Sequence, residues 1–236
     1  MFNFQLKIII KLIYMKKINY NNKDYFYYLG QKNGERERLP FHNDKKMIEV
    51  MIDVLNNCNV FIETGTFIGA TTYFVSKNFP KLDCFSCESN KQFYDQAMKE
   101  LKDLNNLKVD LIPSPQGLYN IKNSYDNKIF ERYTCFWLDA HWKSDPLYDE
   151  LRYITKNFKK FCIFIDDFTI PWDKGFWTDG YSIEKIRPYI MNKDKLKYYM
   201  PNYPSTDECC KKNAGGYIVI TNMNINTFNN VKEISL

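Results

Sequence analysis

The chain has 236 residues, 44% hydrophobic and 17% aromatic, which suits one sizeable domain with a true core and leaves no room for a second complete one. Its 33 basic and 28 acidic residues leave a formal charge of +5, spread over solvated positions such as Lys159, Lys160, Lys211 and Lys212. No basic stripe interleaved with aromatics is present, so nucleic acid is not an expected partner.

The seven cysteines are odd in number and lack the spacing of a disulfide framework, which points to a reducing, cytoplasmic setting. Cys84 and Cys87 form a CxxC, but no second CxxC or histidine pair completes a zinc set, and the vicinal Cys209 and Cys210 read as loop thiols. At the N-terminus, MFNFQLKIIIKLIYMKKINY carries an apolar run interrupted by Lys7 and Lys11. It is too short for a membrane span and lacks a small-residue cleavage site, leaving a frayed extension or a surface-lying amphipathic segment, with Met15 a second plausible start. Residues 1–43 are expected to form an extension and, from Asn21 on, an irregular lead-in to a single domain over 44–236.

Within 44–57, Met47, Ile48, Met51, Ile52 and Leu55 recur at helical spacing. Beyond it the pattern alternates. Strands are expected at 60–63, 82–88, 107–112, 133–138 and 161–165, and helices at 69–79, 91–104, 146–158 and 182–190. The connection from 113 to 125 is poorly patterned. LKYYM (196–200) and GGYIVIT (215–221) read as a terminal antiparallel pair. The expected fold is therefore α/β, a doubly wound, mostly parallel seven-stranded sheet with a terminal antiparallel hairpin. On such a sheet ligands bind beyond the carboxyl ends of the strands, near the switch in strand order.

The first of these strands runs into VFIETGTFIGATT, where Gly65 and Gly69 lead into a helix. Strand, glycine turn and helix in succession form an anion-receptive site, but Thr66 stands where a dinucleotide fingerprint places its second glycine. That disfavours a pyrophosphate and suits a ligand carboxylate such as that of methionine. Glu88 closes the next strand about twenty residues on, a place from which a carboxylate accepts both hydroxyls of a ribose. It also reads as a solvated strand end before the Ser89–Asn90 helix cap. Glu63, at the tip of the first strand, either orients the turn or meets the ligand's ammonium.

CFWLDAHW (135–142) and CIFIDDF (162–168) are apolar runs that stop on carboxylates. Together with IETGTFIG and SCES, their order resembles the class I S-adenosylmethionine-dependent methyltransferases, and more narrowly the metal-dependent macrocin-type sugar O-methyltransferases. The resemblance covers Val60 to Tyr181 and extends to the terminal hairpin. It implies S-adenosylmethionine as cofactor and a small-molecule acceptor, a sugar hydroxyl. It also implies a divalent cation, Mg²⁺, held by Asp139, Asp166 and Asp167. The family's second acid in this motif, proposed as the base, is here His141. Read physically, neighbouring strands about 4.8 Å apart bring such carboxylates within reach of one cation, which relieves their mutual repulsion. Asp166 and Asp167 point to opposite faces if both are extended, so both ligate only if the backbone turns there.

A neutral imidazole at position 141 suits proton acceptance from a hydroxyl. The alternatives for His141 are a metal ligand, a substrate hydrogen-bond donor, or a histidine packed between Trp142 and its loop. In PWDKGFWTDGY (171–181), Trp172, Trp177 and Tyr181 read either as stacking faces of a substrate lid or as anchors of a surface loop. Asp145 and Asp149 suit the start of the following helix. Two other readings keep the fold: a metal-dependent hydroxylase-like enzyme, and a non-catalytic nucleotide-binding protein.

Overall fold

The computed structural model describes residues 15–28, 40–124, 127–141, 145–208, 210, 214–225 and 229–235. The expectations for residues 1–14 and for Trp142, Cys209, Lys211 and Lys212 fall outside these.

The first elements correct the irregular lead-in. β1 (Met15–Tyr20) and β2 (Lys23–Tyr28) pair antiparallel across Asn21 and Asn22, whose φ of 50° and 60° make a two-residue turn of the primed type. Side chains alternate on β2: Tyr25 and Tyr27 are buried and Phe26 is exposed. Pro40–Asn43 then forms a tight turn, and Asp44 caps α1 (Lys45–Leu55), accepting hydrogen bonds from the backbone of Lys46 and Met47. Helix α1 is buried along Met47, Ile48, Val50, Met51, Ile52, Val54 and Leu55, so it belongs to the core rather than to a surface.

The elements that follow are β3 (Val60–Thr64), α2 (Ala70–Asn78), β4 (Asp83–Glu88), α3 (Lys91–Leu101) and β5 (Leu107–Leu111). Next come α4 (Gln116–Ser124), β6 (Tyr133–Leu138), α5 (Leu147–Asn157), β7 (Lys160–Ile165) and α6 (Ile183–Ile186). β8 (Lys197–Pro201), β9 (Ile218–Thr221) and β10 (Val231–Glu233) complete the chain. Asn78, at the end of α2, docks the hairpin: its side chain accepts from Phe26 N at 2.7 Å and donates to Phe26 O at 2.6 Å.

Two further elements differ from the expectation. The connection after β5 contains α4 and a 3-10 turn at Asn127–Glu131, where Leu118, Ile121 and Ile129 supply the buried contacts. The helix expected over 182–190 is a single turn that tightens into a 3-10 turn at Arg187–Tyr189. Pro188 lacks the amide needed to continue it.

The main sheet has the order β10-β8-β9-β7-β6-β3-β4-β5. The strands from β7 through β5 run parallel, while β9, β8 and β10 pair antiparallel; β10 is one strand more than the sequence suggests. Every residue of β3 and β9, and all but the first of β6 and β7, is buried, which requires both faces of the sheet to be covered. From β3 the chain proceeds outward to β4 and β5, then returns to β6 and β7 on the other side. The switch in order therefore falls between β3 and β6. Among the described residues no helix is long and apolar enough to cross a membrane.

Candidate functional site

Register builds the site. Thr64 pairs with Leu138, and Leu138 with Ile165, so the next residues, Gly65, Asp139 and Asp166, stand in a row at the carboxyl ends of three adjacent strands. The ladder carries one residue further: Asp139 N donates to Thr64 O at 3.0 Å, and Asp166 N to Leu138 O at 3.1 Å. This row flanks the switch in strand order, where the crevice of such a sheet opens.

On the β3–β4 side, Gly65 (φ +88°) presses against the Asp139 backbone so closely that any Cβ would overlap the Asp139 carbonyl oxygen. Gly69 (φ +82°) starts α2 with Leu101 and Ala97 against it. The turn is clamped to β4 by Gly65 N and Thr66 N, which both donate to Cys87 O. Thr66 is buried and its hydroxyl lies 2.6 Å from that of Ser86, which in turn donates to Glu63 Oε2 at 2.6 Å; Thr72 Oγ1 donates to the same oxygen. Thr66 therefore faces inward, and Glu63 orients the turn from beneath through three hydroxyls. Burial pushes the Glu63 carboxyl up to about 7. Glu88 accepts from Phe67 N at 2.8 Å through one oxygen and from Asn90 N at 2.7 Å through the other. It holds the turn and the start of α3 together.

On the β6–β7 side, carboxylates gather with fewer partners. Burial and the charge of Asp166 push the Asp139 carboxyl well above the usual range, and the same two causes push Asp167 up to about 8. The backbone does turn after β7: Asp167 has φ +50°. Asp166 Oδ1 and Asp167 Oδ1 are buried with no hydrogen-bond partner. Both face Gly215, where a Cβ would lie 2.7 Å from Asp167 Oδ1 and 3.2 Å from Asp166 Oδ1. Glycine is needed there to let the chain pass the acidic pair.

A residue that the sequence reading did not single out completes the cluster. His42 Nε2 lies 2.5 Å from Asp166 Oδ2, with 38% of the His42 side chain exposed and none of Asp166. The charge of Asp166 pushes the imidazole up to about 10. One ligand atom each from His42, Asp139 and Asp166 lies within 4.8 Å of the others; Asp167 is outside that set. His42 sits on the Pro40–Asn43 turn, with 124 residues separating it from Asp166, and no local motif marks it. The only hint in the sequence is a histidine just before a helix cap.

His141 follows Asp139. Its two ring nitrogens make no hydrogen bond of ordinary geometry, and burial lowers its pKa against the raising charges of Asp166 and Asp179. Its ring packs against Tyr181 at 4.9 Å between centroids, and the Tyr181 hydroxyl donates to Asp145 at 2.8 Å. Tyr181 is thus a buried prop for His141 rather than an open stacking face. Trp177 is 59% exposed and its backbone bridges to Gly215, beside the acidic pair. Trp172 lies elsewhere: the Lys232 ammonium sits 3.5 Å from its ring centroid, and it lines a groove of about 830 Å³ with Arg187, Lys193 and Met200, none of the acidic cluster among the lining residues.

The donor set suits a divalent cation. Two carboxylates and an imidazole converge, and buried oxygens facing the cluster lack partners. The β3–β4 side, with its glycine turn and Glu88, suits a small ligand with a carboxylate and a ribose.

No family model matches the sequence, and no curated protein sequence matches it. Solved structures share the fold. An O-methyltransferase from Bacillus cereus in complex with S-adenosylhomocysteine is 15% identical, with a TM-score of 0.56 over 78% of this chain and 84% of that one. An O-methyltransferase from Streptomyces achromogenes involved in tomaymycin synthesis, in complex with S-adenosylmethionine, is 12% identical, with a TM-score of 0.50 over 75% and 78%. Fibrillarin from Aeropyrum pernix, with natively bound S-adenosylmethionine, is 10% identical, with a TM-score of 0.51 over 88% and 94%. At these identities the likeness concerns the fold. The mixed sheet, with its parallel core and antiparallel C-terminal strands, is the class I methyltransferase, Rossmann-like fold.

Proposed function

We propose that the chain is an S-adenosylmethionine-dependent O-methyltransferase of the macrocin type, acting on a hydroxyl of a sugar or sugar-containing small molecule with the help of a divalent cation. The observation that carries this reading is the row Gly65, Asp139, Asp166: the glycine turn that suits the cofactor stands one strand from a carboxylate cluster that suits an acceptor. When bound, S-adenosylmethionine supplies the methyl group and leaves as a neutral thioether, so no acid is required on that side. Gly65 and the start of α2 would receive its carboxylate, and Glu88, fixed by Phe67 N and Asn90 N, would accept from its ribose with its remaining lone pairs.

Asp139 and Asp166 would hold the cation, with Asp167 beside them, and its charge makes an acceptor hydroxyl easier to deprotonate. His141 takes the proton. Burial favours its neutral imidazole, and since neither ring nitrogen makes a hydrogen bond of ordinary geometry, one is available to accept. Tyr181 holds the ring in place, and Trp177, exposed next to Gly215, offers the stacking face for a sugar.

Calorimetry with S-adenosylhomocysteine and transfer of labelled methyl to a panel of sugars test the reading. Binding together with transfer that EDTA abolishes supports it; absence of cofactor binding overturns it. The hydroxylase-like alternative draws on one observation, the nitrogen donor His42 in the cluster. Oxygen consumption without formation of S-adenosylhomocysteine would select it.

A further inference from the structure

We infer that His42 is a ligand of the cation, so that the site is a histidine–aspartate–aspartate set selective for a first-row transition ion such as Mn²⁺, Fe²⁺ or Co²⁺ over Mg²⁺. The inference deepens the reading above, since the cation would serve the same acceptor site.

Three observations carry it. First, the ligand atoms of His42, Asp139 and Asp166 lie within 4.8 Å of one another. Ligands at about 2.1 Å from one ion span up to about 4.2 Å, so a small inward movement closes the set. The second carboxyl oxygen of Asp166 is buried without a partner, and that of Asp167 is likewise unmet. The imidazole alone therefore does not satisfy the cluster.

Second, the backbone is bent to deliver this histidine. Phe41, His42 and Asn43 have φ of 49°, 53° and 62°, three successive left-handed residues without a glycine. Each such residue costs about 1 kcal/mol or more. The turn is held from both sides. Phe41 is buried edge-on against Trp137 at 4.9 Å and Phe74 at 5.8 Å, and Asp44 caps α1 while receiving the Tyr203 hydroxyl at 2.7 Å. Trp137 lies on β6, two residues before Asp139, so the anchor that fixes the turn stands on the strand that delivers a second ligand. Gly215 admits the third side: a Cβ there would lie 3.5 Å from His42 Cδ2 as well as against both acids.

Third, the donors decide the metal. Mg²⁺ prefers oxygen ligands and retains several waters, whereas imidazole nitrogen suits borderline first-row ions. Two carboxylates with one imidazole fit the latter class.

The test uses the full chain stripped with EDTA and titrated with MnCl₂, CoCl₂ and MgCl₂. Affinity is read by calorimetry, Co²⁺ ligation by visible absorption, and S-adenosylhomocysteine affinity is measured in parallel. Two variants are compared, His42→Ala and His42→Asn; asparagine tolerates the left-handed backbone, so His42→Asn keeps the turn. The expected result is Mn²⁺ and Co²⁺ binding at least about 10-fold tighter than Mg²⁺, and a loss of about 10- to 100-fold in His42→Asn with the preference abolished. S-adenosylhomocysteine affinity is expected to stay unchanged in that variant. Mg²⁺ binding as tightly as Mn²⁺, or His42→Asn binding Mn²⁺ and Co²⁺ like the wild type, overturns the inference. Transition-ion preference that depends on His42 without any S-adenosylhomocysteine binding upholds the site and overturns the methyltransferase reading instead.

Discussion

On the β3–β4 side of the crevice the acids are spoken for: Glu63 accepts from Thr72 and Ser86, and Glu88 from Phe67 N and Asn90 N. Across the switch point, on β6–β7, Asp166 Oδ1 and Asp167 Oδ1 have no hydrogen-bond partner, and the ring nitrogens of His141 make none of ordinary geometry. The same element, a carboxylate at the end of a buried parallel strand, thus does two kinds of work. Where its oxygens are met by backbone and hydroxyl donors it fixes a loop; where an oxygen is buried and unmet, as at Asp166 and Asp167, it keeps lone pairs for a further partner, and burial together with the charge of Asp166 raises the proton affinity of Asp167. Position at a strand end alone does not separate the two settings; the donors that meet each oxygen do.

The largest effect that tests this contrast is on turnover. Asp166→Asn is expected to lower methyl transfer by at least about 100-fold while leaving S-adenosylhomocysteine affinity and melting temperature near wild type, because relief of the repulsion with Asp139 and Asp167 offsets the loss of charge opposite His42, and the amide oxygen still accepts from His42 Nε2. A fall in melting temperature of several degrees would erase the distinction between the halves. Gly65→Ala is the counterpart. With φ +88° and the Asp139 carbonyl in the way, it is expected to cost about 2–4 kcal/mol in urea unfolding and to weaken S-adenosylhomocysteine as well.

Glu63 sharpens the comparison through pH. Its carboxyl is raised from 4.5 to about 7, so the folded state holds this proton more tightly than the unfolded chain. The group's contribution is therefore most favourable below pH 4.5 and declines as pH rises toward 7. Glu63→Gln keeps a hydrogen-bond acceptor and removes that decline. It is expected to be more stable than wild type by about 1–3 kcal/mol at pH 8 and equal to it near pH 4.5, read from denaturant melts at both values. The smallest effect belongs outside the crevice. Asn78→Ala leaves two backbone groups of β2 without their partner and is expected to cost about 1–2 kcal/mol, with turnover unchanged.

Much of this architecture is legible in the sequence, for a physical reason. Strands such as CFWL and FCIFI are buried on both faces and read as unbroken apolar runs, and Asp44 and Asn90 announce helices through ordinary capping chemistry. Asp139 and Asp166 were visible because each interrupts such a run. What escaped had weaker local signals. Helix α4, QGLYNIKNS, carries few apolar residues, and Asn21–Asn22 sits among polar neighbours although two asparagines suit a primed turn. The glycines at 215 and 216 read only as the start of a strand. His42 had only its place before a helix cap to mark it, since its meaning lies in a contact with a residue far along the chain, and sequence spacing cannot express that. For the same reason Trp172, Trp177 and Tyr181 looked alike in one aromatic segment, while the fold sends one to a remote groove, one to the crevice and one into the protein.

The long reach between His42 and Asp166 has a mechanical side. A cation gripping both would tie the turn ahead of α1 to the centre of the sheet, closing a loop of 124 residues without a covalent bond. Such a clasp acts as a disulfide does, by denying the unfolded chain its freedom, and the benefit grows slowly with loop length. Unlike a disulfide it forms in a reducing environment, and a chelator undoes it.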